Sequence, residues 1–574
     1  MTSVASQGAV APSRPQAPAA AKTPGKRPYH NGNNKGKPAK FRKKQQKAPK
    51  LNEGSHEEVL MHDIQALLAA TKLAAGEAEA LARELAKPAL PLQGSEIEVE
   101  VIEMSSTGDG LAKQKGSDQI YVVPFSVPGD TVKVKVYRHL EREGYTVADF
   151  IAVTKPSPLR NDSRIQCKYF AQCSGCQFQM LDYAEQLKLK KNIVVKAYRN
   201  FSQLPRELVP DVLDTIGSPL EYGYRTKLTP HFDGPPGAMR RGPRKPLEER
   251  PPIGFTPKTT RKVLDIEDCP IATDAVRKGL KEERERMETE FVKYTRGATI
   301  LLRESTQRVP KTACGSGAAA VDEAEIAAAA AATTPASSSA ITVETDTYTD
   351  RKTYITDNNA TSTEYIDDFI FTNPAGSFFQ NNNSILSPFT EYIRQHIMPP
   401  PHLLEGKKPI RKLIDAYSGS GLFTITQASL FPGGSIGIDI ADKSIEFART
   451  NATLNGLKEE QCRFIAADAP ELFKSVAQYD PDETVVVLDP PRKGCDASFL
   501  RQLLEYGPRR VVYVSCNVHT QARDVGVLVR GEVDGMEGGG EEGTRYEIES
   551  IRGFDFFPQT GHVEGVAVLN RVEL

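Results

Sequence analysis

The sequence predicts a multidomain α/β protein in which a doubly wound sheet follows a small central α+β region and an N-terminal β-barrel. Three observations carry this. From residue 412 onward KLIDAYSGSGLF, SIGIDI, CRFIAA, TVVVLD and RRVVYVS are apolar runs of strand length, separated by segments long enough for helices. Residues 95 to 155 alternate apolar and polar with period two, broken by Gly and Pro. At 574 residues the chain exceeds one core, so two to four domains plus linkers are expected.

Taken in order, residues 1–54 read as a disordered basic tail. Residues 1–50 hold 12 of the 73 Lys and Arg and none of the 74 Asp and Glu, so a net charge of −1 hides a cationic arm. Its NGNNKGKPAKFRKKQQK cannot build a core and suits a polyanion, or serves only solubility. Residues 55–93, with EEVLMHDIQALLAATKLAA, have helical spacing and form a helical linker. Residues 94–155 (EIEVEVIEM, QIYVVPF, DTVKVKVYRHL, GYTVADFIAV) form an OB-like barrel able to present loops to RNA. Residues 156–372 form the central domain, in which 310–364, with six alanines from Ala327 and a Ser/Thr-rich continuation, read as a disordered insertion. Residues 373–574 carry the doubly wound sheet. No long uncharged apolar run and no secretory signal are seen, so a cytoplasmic and/or nuclear protein without a membrane partner is expected, a mitochondrial one less so.

Open α/β sheets hold ligands at the carboxyl ends of their strands. The first strand ends in DAYSGSGLF with Gly419 and Gly421, and Asp439 closes the next, placed for ribose hydroxyls. The third glycine of a dinucleotide fingerprint is missing, because Phe423 and Thr424 occupy that region. A nucleoside without a pyrophosphate fits better, and S-adenosylmethionine is such a ligand. Asp468 would approach its adenine, and Asp489 in DPPRKG is a stiff acidic turn at the same edge. Asp415, Gly419, Asp439, Asp468 and Asp489 thus stand at successive strand ends.

The strand VVYVS delivers Cys516 to that edge, followed by Asn517, which neither extends the strand nor opens a helix well. For a single cysteine, packing is the commoner explanation. Methylation at C5 of a pyrimidine, however, requires a thiolate at C6, since C5 is a poor nucleophile until the ring becomes enolate-like. It then requires a base for the C5 proton. Cys516 supplies the first group and Glu564, in FDFFPQTGHVEGVAVL, the second; His562 reads as a packing residue.

SCN at 515–517, DPPRKG at 489–494 and FPQTGHVE at 557–564 resemble the S-adenosylmethionine-dependent RNA uracil-5-methyltransferases, over about residue 94 to the end apart from 310–364. The resemblance implies a Rossmann-like methyltransferase fold, Cys516 as nucleophile, Glu564 as base, and cofactor contacts from Gln380 in GSFFQNN, Tyr417, Asp439 and Asp489, beside Gly419. It implies RNA as partner, most of all the T-loop of tRNA, with rRNA as alternative. Val518 departs from the proline usual after SCN. A C5-cytosine enzyme is disfavoured because Cys516 follows Ser rather than Pro, and a non-catalytic RNA binder would have no use for both Cys516 and Glu564.

Cys167, Cys173 and Cys176 form C-x5-C-x2-C, with Cys269 in EDCPIA as the best fourth ligand, a spacing that suits zinc or an iron-sulfur cluster. Within the resemblance it implies [4Fe-4S]. Cys462 and Cys495 read as inert, and Cys314 lies in the insertion. YGYRTKLTPHF at 222–232 and RRGPRKP at 240–246 mix aromatics with cations and read as RNA-contacting segments.

Overall fold

Period-two sequence closes first into a five-stranded barrel. The computed structural model describes residues 52–75, 89–234, 245–258, 260–311, 340–467, 469–533 and 543–572. Residues 1–51, the linker from 76 to 88, most of RRGPRKP, residues 312–339 with Cys314, and Asp468 lie outside them. Strands Glu96–Met104, Gly110–Lys113, Ile120–Val123, Thr131–Leu140 and Tyr145–Lys155 make the barrel. Alternation sends Val99, Val101, Val132, Val134 and Val136 inside, where they are buried. The preceding helix, His56–Ala75, lays Leu60, Ile64 and Leu67 against Leu111, Ile120, Val122 and Tyr145 of the barrel wall.

The sheet of the C-terminal half has eight strands and is mixed rather than wholly parallel. Lys412–Ala416, Ser435–Asp439, Cys462–Ala466, Thr484–Leu488 and Arg510–Ser515 run parallel. Glu564–Arg571 inserts antiparallel beside Arg510–Ser515 and pairs in turn with Tyr546–Phe554. Leu213–Ile216 then adds a last strand from far upstream. Both faces are covered, with Ile436, Leu488 and Tyr513 in one core and Val485, Val512 and Phe389 in the other.

Two domain expectations change. The helix Tyr183–Phe201 packs Ile193, Val194 and Ala197 into the same core as Val525 and Leu528, so the region expected to form a separate central domain supplies a helix and a strand to the large sheet. The segment expected to be disordered from 310 to 364 is corrected from residue 341 onward. Ile341–Glu344, Tyr348–Ile355 and Thr361–Ile366 are strands, the first two joining Leu302–Pro310 in a sheet. The threonines of the Ser/Thr-rich continuation that reads as low complexity are also strand formers. Arg308 stacks over Tyr348 and Tyr365, at 3.6 and 4.3 Å from their ring centres, and forks onto Asp350 at 2.8 and 3.1 Å. Among the described residues no helix is long and apolar enough to cross a membrane.

Candidate active site

Every residue of Arg510–Ser515 is buried, and the strand stops where Asn517 begins the helix Val518–Arg530. Asn517 is that helix's N-cap: its Oδ1 accepts from the His519 N–H at 3.2 Å. Along the sequence the asparagine reads as poorly suited to open a helix; its extended backbone (φ −134°, ψ 93°) is what a cap requires. Its Nδ2 donates to the carbonyls of Arg492 at 2.9 Å and Gly54 at 3.2 Å. Val518, where the resembled family has proline, is buried at the first helical position, and the loop is held by these side-chain bonds.

Glu564 starts the strand paired with Arg510–Ser515. The ladder's last pair is Ser515 with Gly565, so Cys516 and Glu564 come next at the same end of the two strands, near enough for the Glu564 charge to act on the thiol. Glu564 is buried, and burial followed by the Asp489 charge holds its carboxyl well above the usual range, against an opposing pull from Arg492. Burial, then the charges of Glu564 and Asp489, pushes the Cys516 thiol up to about 12, again opposed by Arg492. Asp489 is raised to about 7 by burial and then by Asp415. Burial and mutual repulsion thus disfavour the anionic forms of both groups, and exposed Arg492 is the cation that acts on both. Sequence reasoning passes over Arg492, although it stands inside the quoted DPPRKG.

Two further motifs prove to be scaffolding. In FDFFPQTGHVE, the buried Lys190 ammonium pairs with Asp555 and donates to the Phe557 carbonyl at 3.0 Å. Gln559, in the left-handed region at φ 70°, exchanges two hydrogen bonds of 3.0 Å with Gln186. Gly561 N–H donates to Gln177 Oε1 at 2.9 Å. In FFQNNN each asparagine ties a different element. Asn381 accepts from Arg303 at 3.2 Å, Asn382 donates to Ser218 and the Phe556 carbonyl at 3.0 and 3.1 Å, and Asn383 donates to Glu364 and the Tyr365 carbonyl at 3.3 and 3.0 Å.

A cavity of about 1210 Å³ is lined by Gln380, Tyr417, Gly419, Asp439, Asp489, Cys516 and Glu564 together, so the expected cofactor and catalytic residues meet in one place. Tyr417 and Gly419 both lie in the left-handed region (φ 66° and 53°), which turns the backbone toward the cavity. Asp439 accepts from the N–H groups of Gly419 at 3.0 Å and Ala441 at 2.8 Å. Ser418 Oγ, on the same wall, is a buried polar atom lacking a protein partner, as a site for a polar ligand requires. Asp415 instead is a buried strand residue beneath the wall that holds the start of the following helix: it accepts from the Thr424 N–H and hydroxyl at 2.9 and 2.5 Å.

The cysteine loop is less decided. Cys167, Cys173, Cys176 and Cys269 are free and near enough for charge on one to disfavour charge on others, with burial the larger cause, so that the Cys269 thiol is raised to about 12. Among the described residues, however, no three His, Cys, Asp or Glu side chains converge in metal-ligand geometry. Cys462 and Cys495 are buried away from this loop. Of the expected RNA segments, Tyr224 is buried with its hydroxyl donating to the Pro558 carbonyl at 3.0 Å, and Arg225 lines the cavity over the Phe557 ring.

Residues 351–572 match the family model tRNA (Uracil-5-)-methyltransferase, and residues 92–142 match the TRAM domain. A protein of Schizosaccharomyces pombe named tRNA (uracil(54)-C(5))-methyltransferase is 40% identical over 533 residues, spanning 93% of this chain and 86% of its own. The chain belongs to the tRNA (uracil-5-)-methyltransferase family. A Saccharomyces cerevisiae family member of the same name is 40% identical over 496 residues, covering 83% of this chain and 73% of that one. The crystal structure of Pyrococcus abyssi tRNA (uracil-54, C5)-methyltransferase in complex with S-adenosyl-L-homocysteine superposes with a TM-score of 0.54 at 25% identity, covering 82% of this chain and 99% of that one. In family terms, the barrel is the TRAM domain and the eight-stranded sheet is the methyltransferase fold.

Proposed function

We propose that this chain methylates C5 of a uridine in the T-loop of tRNA, position 54 as in the names of its yeast relatives, with S-adenosylmethionine as methyl donor. The observation that carries the reading is the neighbouring pair Cys516 and Glu564 in the cavity that also holds Gly419 and Asp439. When bound, S-adenosylmethionine supplies an electrophilic methyl group, and Asp439, Gly419, Tyr417, Gln380 and Asp489, which line the cavity, would hold it.

The chain's own part is a covalent addition and elimination. Cys516 loses its proton and its sulfur bonds to C6, sending the C5–C6 π electrons toward O4 and making C5 nucleophilic. After C5 has been methylated, Glu564 as carboxylate takes the C5 proton, C5=C6 re-forms and the S–C6 bond breaks. Both groups must first become anions, and Arg492 is the charge that favours this. An extruded base is required, because the reacting atoms lie inside the wall. The barrel and the cations Arg225 and Arg492 support RNA as the partner. The test is mass spectrometry of tRNA nucleosides after incubation with the purified chain and labelled S-adenosylmethionine. Label in 5-methyluridine is expected; label elsewhere, or none, overturns the reading.

The [4Fe-4S] cluster belongs to the same proposal, at Cys167, Cys173, Cys176 and Cys269. Its support is the C-x5-C-x2-C spacing and the mutual nearness of the four thiols. No step above depends on it. About four irons per chain in anaerobically purified protein are expected, and stoichiometric zinc, or no metal, overturns it. A cytoplasmic and/or nuclear location accords with seven unpaired described cysteines and is tested by imaging the tagged full chain.

A further inference from the structure

Residues 52–75 precede the barrel in sequence and touch it, but they also reach the nucleophile loop more than 460 residues later. At one end of this segment, Leu60, Ile64 and Leu67 seat the helix on the barrel, and Asp63 accepts from the Ser106 N–H at 2.5 Å. At the other, the Gly54 carbonyl accepts from Asn517 Nδ2, and Glu53 pairs with Arg523 at 2.7 Å. On the same helix His62 packs on Phe201, which packs on buried His519, with ring centres 4.6 and 5.1 Å apart.

We propose that residues 52–75 are a strap that positions the Cys516 loop, with Gly54 as a positioning residue acting through Asn517. The inference rests on Cys516 being the nucleophile. Asn517 follows it directly, and the other acceptor of Asn517 Nδ2 is the carbonyl of Arg492, whose guanidinium faces the thiol. A shift of that one amide therefore moves both the thiol and its cation. Position 54 accepts no side chain. Its φ is 67°, and a Cβ there would overlap the Thr520 methyl and stand 3.0 Å from Asn517 Nδ2. The exposed Glu53–Arg523 pair adds little by itself, so the carbonyl contact and the steric fit carry the role.

The test uses the full chain with Gly54→Ala, Thr520→Ser, both together, and Ile64→Ala. Thr520→Ser removes the obstructing methyl but keeps the hydroxyl, which donates toward the Arg492 and Asn517 carbonyls at 3.1 and 3.0 Å. Steady-state methylation is measured alongside the rate of covalent trapping on 5-fluorouridine tRNA, in which the C5 fluorine blocks elimination. Gly54→Ala should lose on the order of 10- to 100-fold in kcat and trapping rate at unchanged KM for tRNA, as expected for a displaced reacting group. Thr520→Ser should recover part of that loss in the double variant, since it removes the overlap with the methyl but not the positive φ. Ile64→Ala, which loosens the strap on the barrel without touching the loop, should lower kcat in the same direction. Wild-type kcat in Gly54→Ala or in Ile64→Ala, a loss confined to KM, or a loss that Thr520→Ser does not relieve overturns the strap. Failure of the underlying reading appears elsewhere: in an inactive wild-type chain, or in a Cys516→Ala chain that still methylates.

Discussion

Cys516 and Glu564 stand at the same end of two adjacent antiparallel strands, just past the Ser515–Gly565 pair, and line one cavity. The Glu564 charge acts on the Cys516 thiol, so the two side chains are close enough to address one pyrimidine ring. The antiparallel insertion of Glu564–Arg571 into an otherwise parallel run creates this pair.

The two groups should fail differently. Cys516→Ala should form no adduct and no product. Glu564→Gln should methylate and then stall with RNA still attached, because elimination lacks its base. A denaturing gel with labelled cofactor and tRNA should show a slow-migrating labelled band for Glu564→Gln alone. Its turnover should fall on the order of 10² to 10⁴.

Arg492 favours the Cys516 thiolate against burial and the charges of Glu564 and Asp489. The Cys516 thiol is raised to about 12, so kcat/KM should climb with pH across the alkaline range as the thiolate fraction grows. Arg492 favours the anion, and removing it raises the thiol further, moving that rising limb to higher pH. Arg492→Gln should lose about tenfold at pH 7.5, one pKa unit's worth, and recover part of it as pH rises. Arg492→Lys should lie between. An Arg492→Gln profile superimposable on wild type would remove the cation from the chemistry.

Lys190 and Asp555 are both fully buried, and together they set the loop that leads to Glu564. Asp555 also accepts from the Phe557 N–H at 3.1 Å. Lys190→Met strands the carboxylate and should cost about 3–5 kcal/mol in denaturant unfolding. Adding Asp555→Asn removes the stranded charge and should restore more than half. Equal stability of the single and double variants would contradict the assignment of the loss to an unpaired charge.

A cationic segment binds a polyanion in a salt-dependent way. Deleting residues 1–50 removes 12 cations and no anion, so tRNA binding should weaken at low salt, about 50 mM, and hardly change at about 300 mM. The slope of log K against log salt should become shallower by about 0.7 to 0.9 for each phosphate the tail had neutralised. An unchanged slope would show that the tail meets no phosphate.

What the sequence determined by itself was local in pattern or chemically specific. Period-two alternation placed the barrel valines, apolar runs placed the parallel strands, and SCN, DPPRKG and FPQTGHVE pointed to Cys516, Asp489 and Glu564, which line one cavity. Each follows from a short-range rule or from chemistry that few residues can perform. Tertiary structure alone decided that Leu213–Ile216 joins the C-terminal sheet, that 341–366 are strands, that Asp415 holds the start of a helix, and that Gly54 meets Asn517. These depend on pairings between distant segments, and no window of sequence contains both partners. Asn517 marks the boundary between the two: its cap is a local bond that the sequence reading passed over, whereas its second and third bonds exist only because the fold brings Arg492 and Gly54 to the same amide.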